Sequence, residues 1–292
     1  MHIPVLLKEV IDYLNPHSNE NFIDATIGEG GHTKAILERN GPTGKVLGIE
    51  VDPLLYQKTK QSMQKTERLI LVNDSYTNLE QIVKEKQFQP VNGILFDLGM
   101  CSWQIDESQR GFSYLKDEPL DMRFSPKSTL TAAEIVNFWE VDDLERILKD
   151  YGEEKYAKCI ALAIKDTRRK KRIVGTQELV EILKKALPKN YDDYRLHPAV
   201  RTFQALRIAV NNELENLKTG LTLALKILLP QGKIVVISFH SLEDRIVKNF
   251  FRDNTKQNTL KILTKKPITS SREEIKNNIR SRSAKLRAVI KL

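Results

Sequence analysis

"DATIGEGGHT", residues 24–33, sets an acid, three glycines and a histidine within ten positions. It continues the apolar run NFIDAT, which reads as a β-strand, and leads into a helix predicted from about His32 to Glu38. Gly28, Gly30 and Gly31 allow a sharp turn and a close backbone approach to a ligand. Gly28 and Gly30 match the first two glycines of the dinucleotide loop G-x-G-x-x-G, but the last position is Thr33. The helix start is therefore poorly matched to a close-packed pyrophosphate. A ligand with a ribose and a charged amino acid tail, but no phosphate, suits it better. From the loop alone three readings stay open: S-adenosylmethionine, a nicotinamide cofactor, or a glycine turn with no ligand.

Outward from this loop, strand and helix patterns alternate. KVLGIE, RLILVN and GILFDLG read as strands two to four. Pro53 opens one intervening helix, and another is predicted from about Asn78 to Lys86. Short apolar strands between amphipathic helices predict an α/β fold with a Rossmann-like, mostly parallel sheet. After Gly99 a long turn-rich stretch reaches Pro126, and then only helical patterns follow, the first carrying a Thr131/Glu134 capping box. A buried strand returns at GKIVVISFHS, followed by a helix opened by Ser241. The late strands LKILTKK and AKLRAVIKL predict an antiparallel terminal hairpin. The expected division is a discontinuous sheet domain, 1–105 with 200–292, and an all-helical insert over 106–199.

The 292 residues are 40% hydrophobic and 29% charged, which predicts packed domains rather than disorder. The net charge of +9 is unevenly placed. Twelve basic and three acidic residues follow from Arg252 onward, so the rest of the chain is neutral. A segment of that kind is the footprint expected for a polyanion, and the run RRKKR at 168–172 adds to it. Cys101 and Cys159 fit no metal spacing and predict reduced cytoplasmic thiols. No metal site is expected, and neither the amino-terminal stretch nor LTLALKILL reads as a membrane span.

In an open parallel sheet, ligands bind beyond the carboxyl ends of the strands. Glu50, which closes strand two, is placed to accept ribose hydroxyls, and Asp52 could share that task. Asp97 closes strand four beside the glycine loop and is the first candidate for catalysis, with a turn cap as the alternative. A carboxylate that accepts an N–H bond from a base amine localises the amine's lone pair and later helps disperse its proton. Gln104 can donate to and accept from a flat heterocycle. Trp103 could stack on a base or fill a core gap, and Tyr76 could cover an adenine or staple its helix. His240 is placed to contact a base or phosphate. Arg201 and Arg207 lie off the apolar stripe Val200, Phe203, Leu206 and Val210, facing either RNA phosphate or solvent.

The segments HIPVLLKEV, DATIGEGGHT, DLGMCSWQID, RGFSY, PLDMRF, YGEEKYAKCIA, HPAVRTFQALRIAVNNELE, SFHSLEDRIVK and RSRSAKLR stand in the same order as in one known family. On these motifs, from His2 to about Arg287, the chain resembles the bacterial 16S ribosomal RNA cytosine-N4 methyltransferase H family. The resemblance implies a class I methyltransferase fold with an inserted helical domain that recognises RNA. It implies S-adenosylmethionine as methyl donor, and the small ribosomal subunit, through a cytosine in the decoding region (P site) of its 16S rRNA, as partner. It also implies cofactor contacts from Gly30, Gly31, His32, Glu50, Tyr76, Asp97 and Gln104. Two departures stand out: Glu50 replaces the family's usual Asp, and Cys101 and Trp103 stand where smaller or more polar residues are common.

Overall fold

The computed structural model describes residues 3–188, 191 and 197–292. The chain forms two compact units, Met1–Gly99 with Leu214–Leu292, and Met100–Glu213. In the first unit a single sheet holds β1 (Phe22–Asp24), β2 (Val46–Ile49), β3 (Leu69–Val72), β4 (Gly93–Asp97), β5 (Lys233–Ser238), β6 (Leu260–Ile262), β7 (Ile268–Thr269) and β8 (Lys285–Lys291). The strand order is β3-β2-β1-β4-β5-β8-β6, with β7 also on β8. The first five strands run parallel, and β8 is antiparallel to β5, β6 and β7. The expected parallel sheet with antiparallel terminal strands is present. It is the last strand that joins the parallel part, and β7, too short to leave a pattern, was not foreseen.

Alternation explains why these strands read as continuous apolar runs. Ile23, Leu47, Ile94, Phe96, Ile234 and Val236 point into one core, while Phe22, Val46, Leu95, Val235 and Ile237 point into the other. Both faces are covered, as parallel sheets require. Helices α1 (Leu7–Leu14), α2 (Gly31–Arg39), α3 (Pro53–Ser62) and α4 (Leu79–Glu85) belong to this unit. In α3, Pro53 takes the first turn and Asp52 caps it by accepting the Leu54 N–H at 3.0 Å. The reversal of strand order falls between β1 and β4, and in open α/β sheets ligands bind beyond the strand ends at such a reversal.

The second unit holds α5 (Ser102–Asp106), α6 (Ala132–Phe138), α7 (Val141–Asp150), α8 (Ala157–Arg168), α9 (Thr176–Ala186) and α10 (Ala199–Asn211). The predicted capping box is in place: Thr131 Oγ1 accepts the Glu134 N–H, and Glu134 Oε2 accepts the Thr131 N–H. The unit is wider at both ends than the expected 106–199, taking in α5 and α10. Ala199, Phe203, Leu206 and Val210 of α10 bury into its core, and Asn211 clamps the long loop by donating to Met122 O and accepting the Phe124 N–H. Positions 189, 190 and 192–196 of the expected insert lie outside the described residues. The chain closes with α11 (Glu213–Ile227), α12 (Ser241–Lys256) and α13 (Arg272–Asn277). Among the described residues no helix is long and apolar enough to cross a membrane.

Candidate active site

Four acids gather where β1, β2, β4 and β5 end. Asp24 is the last residue of β1 and is buried. Its carboxylate accepts the Thr33 hydroxyl at 2.7 Å and the Thr26 N–H at 3.4 Å. Here lies the reason for the absent third glycine: the Thr33 side chain ties α2 to β1, a task glycine has no atom to perform. Thr26 in turn accepts the Asp97 N–H at 2.7 Å, tying the loop to β4.

Gly30 sits at φ +79°, a left-handed conformation that favours glycine. A Cβ there would stand 2.4 Å from Met63 Sδ, and one on Gly31 would stand 2.3 Å from Pro4 Cγ. The expectation was that these glycines make room for a ligand. The space that a side chain would need at Gly30 and Gly31 is held by Met63 and Pro4, so both glycines also serve the packing of the loop.

Glu50, just past β2, is buried and braces the same loop. Oε2 accepts the Gly28 N–H at 3.1 Å and Oε1 accepts the Asp52 N–H at 2.9 Å. Each oxygen keeps a second lone pair for a hydroxyl. Asp52 itself is engaged in capping α3. The longer side chain at position 50 thus holds two backbone amides in addition to any ligand.

Asp97 closes β4. Its Oδ1 is buried and has no hydrogen-bond partner, while Oδ2 lies 3.6 Å from His32 Nδ1, too far for a hydrogen bond. His32 is buried, with Nε2 at 2.9 Å from Val5 O. Tyr76 packs edge-on against Phe96 with ring centroids 5.5 Å apart, and a Cβ on Gly220 would meet its ring at 2.6 Å. His240 follows β5 with both ring nitrogens buried and without a well-aligned hydrogen bond; Nε2 is 3.2 Å from Glu243 Oε1. Glu243 also accepts the Phe239 N–H at 2.8 Å. The helix expected from Ser241 starts there, and Asp244 in its first turn forms a two-pronged pair with Arg287 at 2.6 and 3.1 Å.

The acids repel one another; Asp24, Glu50 and Glu243 are buried, while Asp97 keeps part of its side chain exposed. Burial pushes Asp24 up to about 6, against the opposing hydrogen bonds from Thr33 and Thr26. Burial likewise pushes Glu50 up to about 7. Asp97 is held well above the usual carboxylate range, by burial first and then by the charges of Asp24 and Glu243. Such a cluster suits a ligand that brings positive charge and hydroxyls. The loop has neither lysine nor arginine to neutralise a phosphate. The residues present therefore fit the sulfonium nucleoside that the sequence resemblance implies, with the orphaned Asp97 Oδ1 as the open acceptor.

The remaining predicted residues belong to the helical unit. Gln104 is buried and its Oε1 accepts the Cys101 N–H at 3.1 Å. The Arg110 guanidinium lies 5.5 Å from the centre of the Trp103 ring. Arg201 reaches the Glu153 carbonyl at 3.5 Å. Arg207, expected to face phosphate or solvent, does neither: it forks onto Glu213 at 2.8 and 2.9 Å, and both side chains are nearly buried. Asp24, Thr26, Thr33 and Glu243 were not among the predicted site residues. The first three lie within or beside the glycine motif and were legible as a polar set; Glu243 had no signal beyond its place after strand five.

The MraW methylase family model matches residues 1–292. A protein from Heliobacterium mobile named ribosomal RNA small subunit methyltransferase H is 44% identical over 308 residues, covering 100% of this chain and 99% of the relative. One of the same name from Sulfurihydrogenibium sp. (strain YO3AOP1) is 46% identical over 287 residues, covering 98% and 97%. A crystal structure from Clostridium thermocellum, provisionally named an rRNA methylase, aligns at TM-score 0.50 and 14% identity over 100% of both chains; at that identity it shows the fold alone, that of class I methyltransferases. On the full-length match and the two relatives, this chain belongs to the MraW methylase family.

Proposed function

We propose that this protein transfers a methyl group from S-adenosylmethionine to the N4 amine of a cytosine in the decoding region (P site) of 16S rRNA, acting on the small ribosomal subunit in the cytoplasm. The observation that carries this reading is the buried, unpartnered Asp97 Oδ1 inside an acid cluster at the strand tips. The relatives' name supports ribosomal RNA as the substrate class, and the family supports methyl transfer. The choice of N4 rests on the sequence resemblance and on the chemistry of Asp97.

When bound, the sulfonium supplies an electrophilic methyl group. Glu50 would hold the ribose through the lone pairs left over from the Gly28 and Asp52 amides. Gly30, Gly31 and His32 would form the loop beside it and Tyr76 would neighbour the adenine; the resemblance adds Gln104 to the cofactor contacts. Asp97 Oδ1 accepts an N–H of the target amine. That bond keeps the lone pair on nitrogen rather than in the ring, and the same oxygen receives the proton released when the N–C bond forms. Orientation of the amine supplies much of the rate, because an in-line displacement tolerates little misplacement. The helical unit, with its basic run at 168–172, recognises the RNA.

The test is incubation with isotopically labelled S-adenosylmethionine and unmethylated small-subunit particles, followed by nucleoside mass spectrometry of the 16S rRNA. One labelled N4-methylcytidine is expected. Label on another nucleoside, or none, would overturn the reading.

A further inference from the structure

The helical unit carries an exposed aromatic ring set among cations. Phe138, the last residue of α6, is 60% exposed, and Val174, which follows the Ile173 bonded to Asn137, is 56% exposed. Single exposed apolar residues are ordinary, but this pair is built into place. Asn137 donates to the Ile173 carbonyl at 2.7 Å and accepts the Ile173 N–H at 3.0 Å, and Arg168 donates to the Val136 carbonyl at 3.0 Å. The end of α6 is thereby fastened to the segment that follows α8. That segment is the basic run Arg168-Arg169-Lys170-Lys171-Arg172. The Arg172 guanidinium lies 4.8 Å from the centre of the Phe138 ring. With that cation in place, more than half of Phe138 still meets water.

Two of the five cations are engaged with carboxylates, Lys171 with Glu178 and Arg169 with Asp166. Lys170 and Arg172 have no carboxylate partner among the described residues. A cleft of about 340 Å³ opens beside Arg172, lined also by Thr167, Lys171 and Lys185. Its acids are matched: Glu178 by Lys171 and Glu181 by Lys184. A rigid ring flanked by unmatched cations has a complement in single-stranded nucleic acid, which offers a flat base face to the ring and phosphates to the cations. A duplex presents the same charge but keeps its bases stacked on each other.

We propose that Phe138 and Arg172 form a stacking platform for one unpaired base of the RNA substrate, with Lys170 and the cleft beside Arg172 holding the adjoining phosphates. This rests on the reading that the substrate is RNA. The test uses the full chain and two fluorescein-labelled probes, a single-stranded oligouridylate and an RNA duplex with the same number of phosphates. Phe138→Ala should weaken binding of the single strand roughly ten-fold and leave the duplex within about two-fold, since stacking is lost and charge is not. Phe138→Trp should bind the single strand at least as tightly as the wild type. Lys170→Ala should weaken both probes alike and reduce the salt slope by about one. An unchanged melting temperature for Phe138→Ala checks that the fold is intact.

Single-strand binding by Phe138→Ala equal to wild type, or an equal loss on both probes, overturns the platform. Unchanged RNA affinity with lost binding to RNA-free small-subunit proteins also overturns it and assigns the ring to a protein. If wild-type protein makes N4-methylcytidine while Phe138→Ala binds the oligouridylate normally, the platform falls alone. If the difference between probes holds but no methylated nucleoside forms, the enzymatic reading falls alone.

Discussion

Acids are held differently in the two units. In the helical unit Glu213 lies under the fork of Arg207, Arg123 pairs with Asp121 at 2.7 Å and, against the effect of burial, holds its carboxyl below the usual range, and the buried Glu154 accepts the Tyr191 hydroxyl and the Tyr156 N–H. In the sheet unit Asp24, Glu50 and Asp97 have no lysine or arginine partner among the described residues, and all three are pushed upward. The contrast is local to the strand tips, because Asp244 of the same unit has Arg287. A carboxylate taken out of water with no cation costs stability unless other bonds offset it. Asp24 and Glu50 have such bonds and brace the glycine loop, whereas Asp97 Oδ1 has none and is left open to a ligand.

The sharpest way to break this contrast is Asp97→Asn, which keeps the size of the side chain and removes its charge. Methyl transfer to 16S rRNA should fall by about 100- to 1,000-fold, the range for loss of one transition-state electrostatic contact. Folding stability should stay level or rise, because a carboxyl crowded by the charges of Asp24 and Glu243 has been replaced by a neutral amide. Turnover within a few-fold of wild type would take Asp97 out of the reaction. Arg207→Ala should do the reverse. It removes both hydrogen bonds that Arg207 gives the nearly buried Glu213 and should cost about 3 kcal/mol in denaturant unfolding, and Arg207→Met with Glu213→Leu should recover most of that. A single variant as stable as wild type would mean the pair is not structural.

How far the sequence went follows the same division. The strand tips were legible because each element there leaves a local mark: an apolar run, a glycine turn, an acid at a strand's end. Asp97 and Glu50 were placed at strand ends that way, whereas His32 as a contact came only from the resemblance and Tyr76 stayed open between an adenine neighbour and a helix staple. The Asp24–Thr33 hydrogen bond was not, although both residues lie in one ten-residue motif, because matching a glycine template registers Thr33 as a mismatch rather than as a donor. The helical unit was less legible. Arg207 and Glu213 are six positions apart, which on one continuous helix would not put them on a common face. They meet because Asn212 takes a left-handed conformation at φ +50° and breaks α10 from α11. The membership of α10 was hidden for a related reason, since an amphipathic stripe shows that a helix buries one face but not against which core.

The smallest expected effect bears on how the sheet unit tolerates its acids at all. Asp24 is raised from 3.8 to about 6, so the stability it contributes is full below about pH 4 and is lost as the pH rises through 6. The Thr33 hydroxyl limits that loss, because its bond is stronger to the carboxylate than to the neutral acid. Thr33→Val removes the donor and keeps the shape, so the folded-state value for Asp24 should move further up. Below pH 4 the variant loses only a neutral hydrogen bond, about 1 kcal/mol, whereas at pH 7.5 it loses a bond to a charge, about 2 kcal/mol. Unfolding of wild type and variant in urea at both pH values should therefore show a gap that widens by about 1 kcal/mol on going to pH 7.5. A gap that is the same at both would mean that Asp24 is protonated throughout.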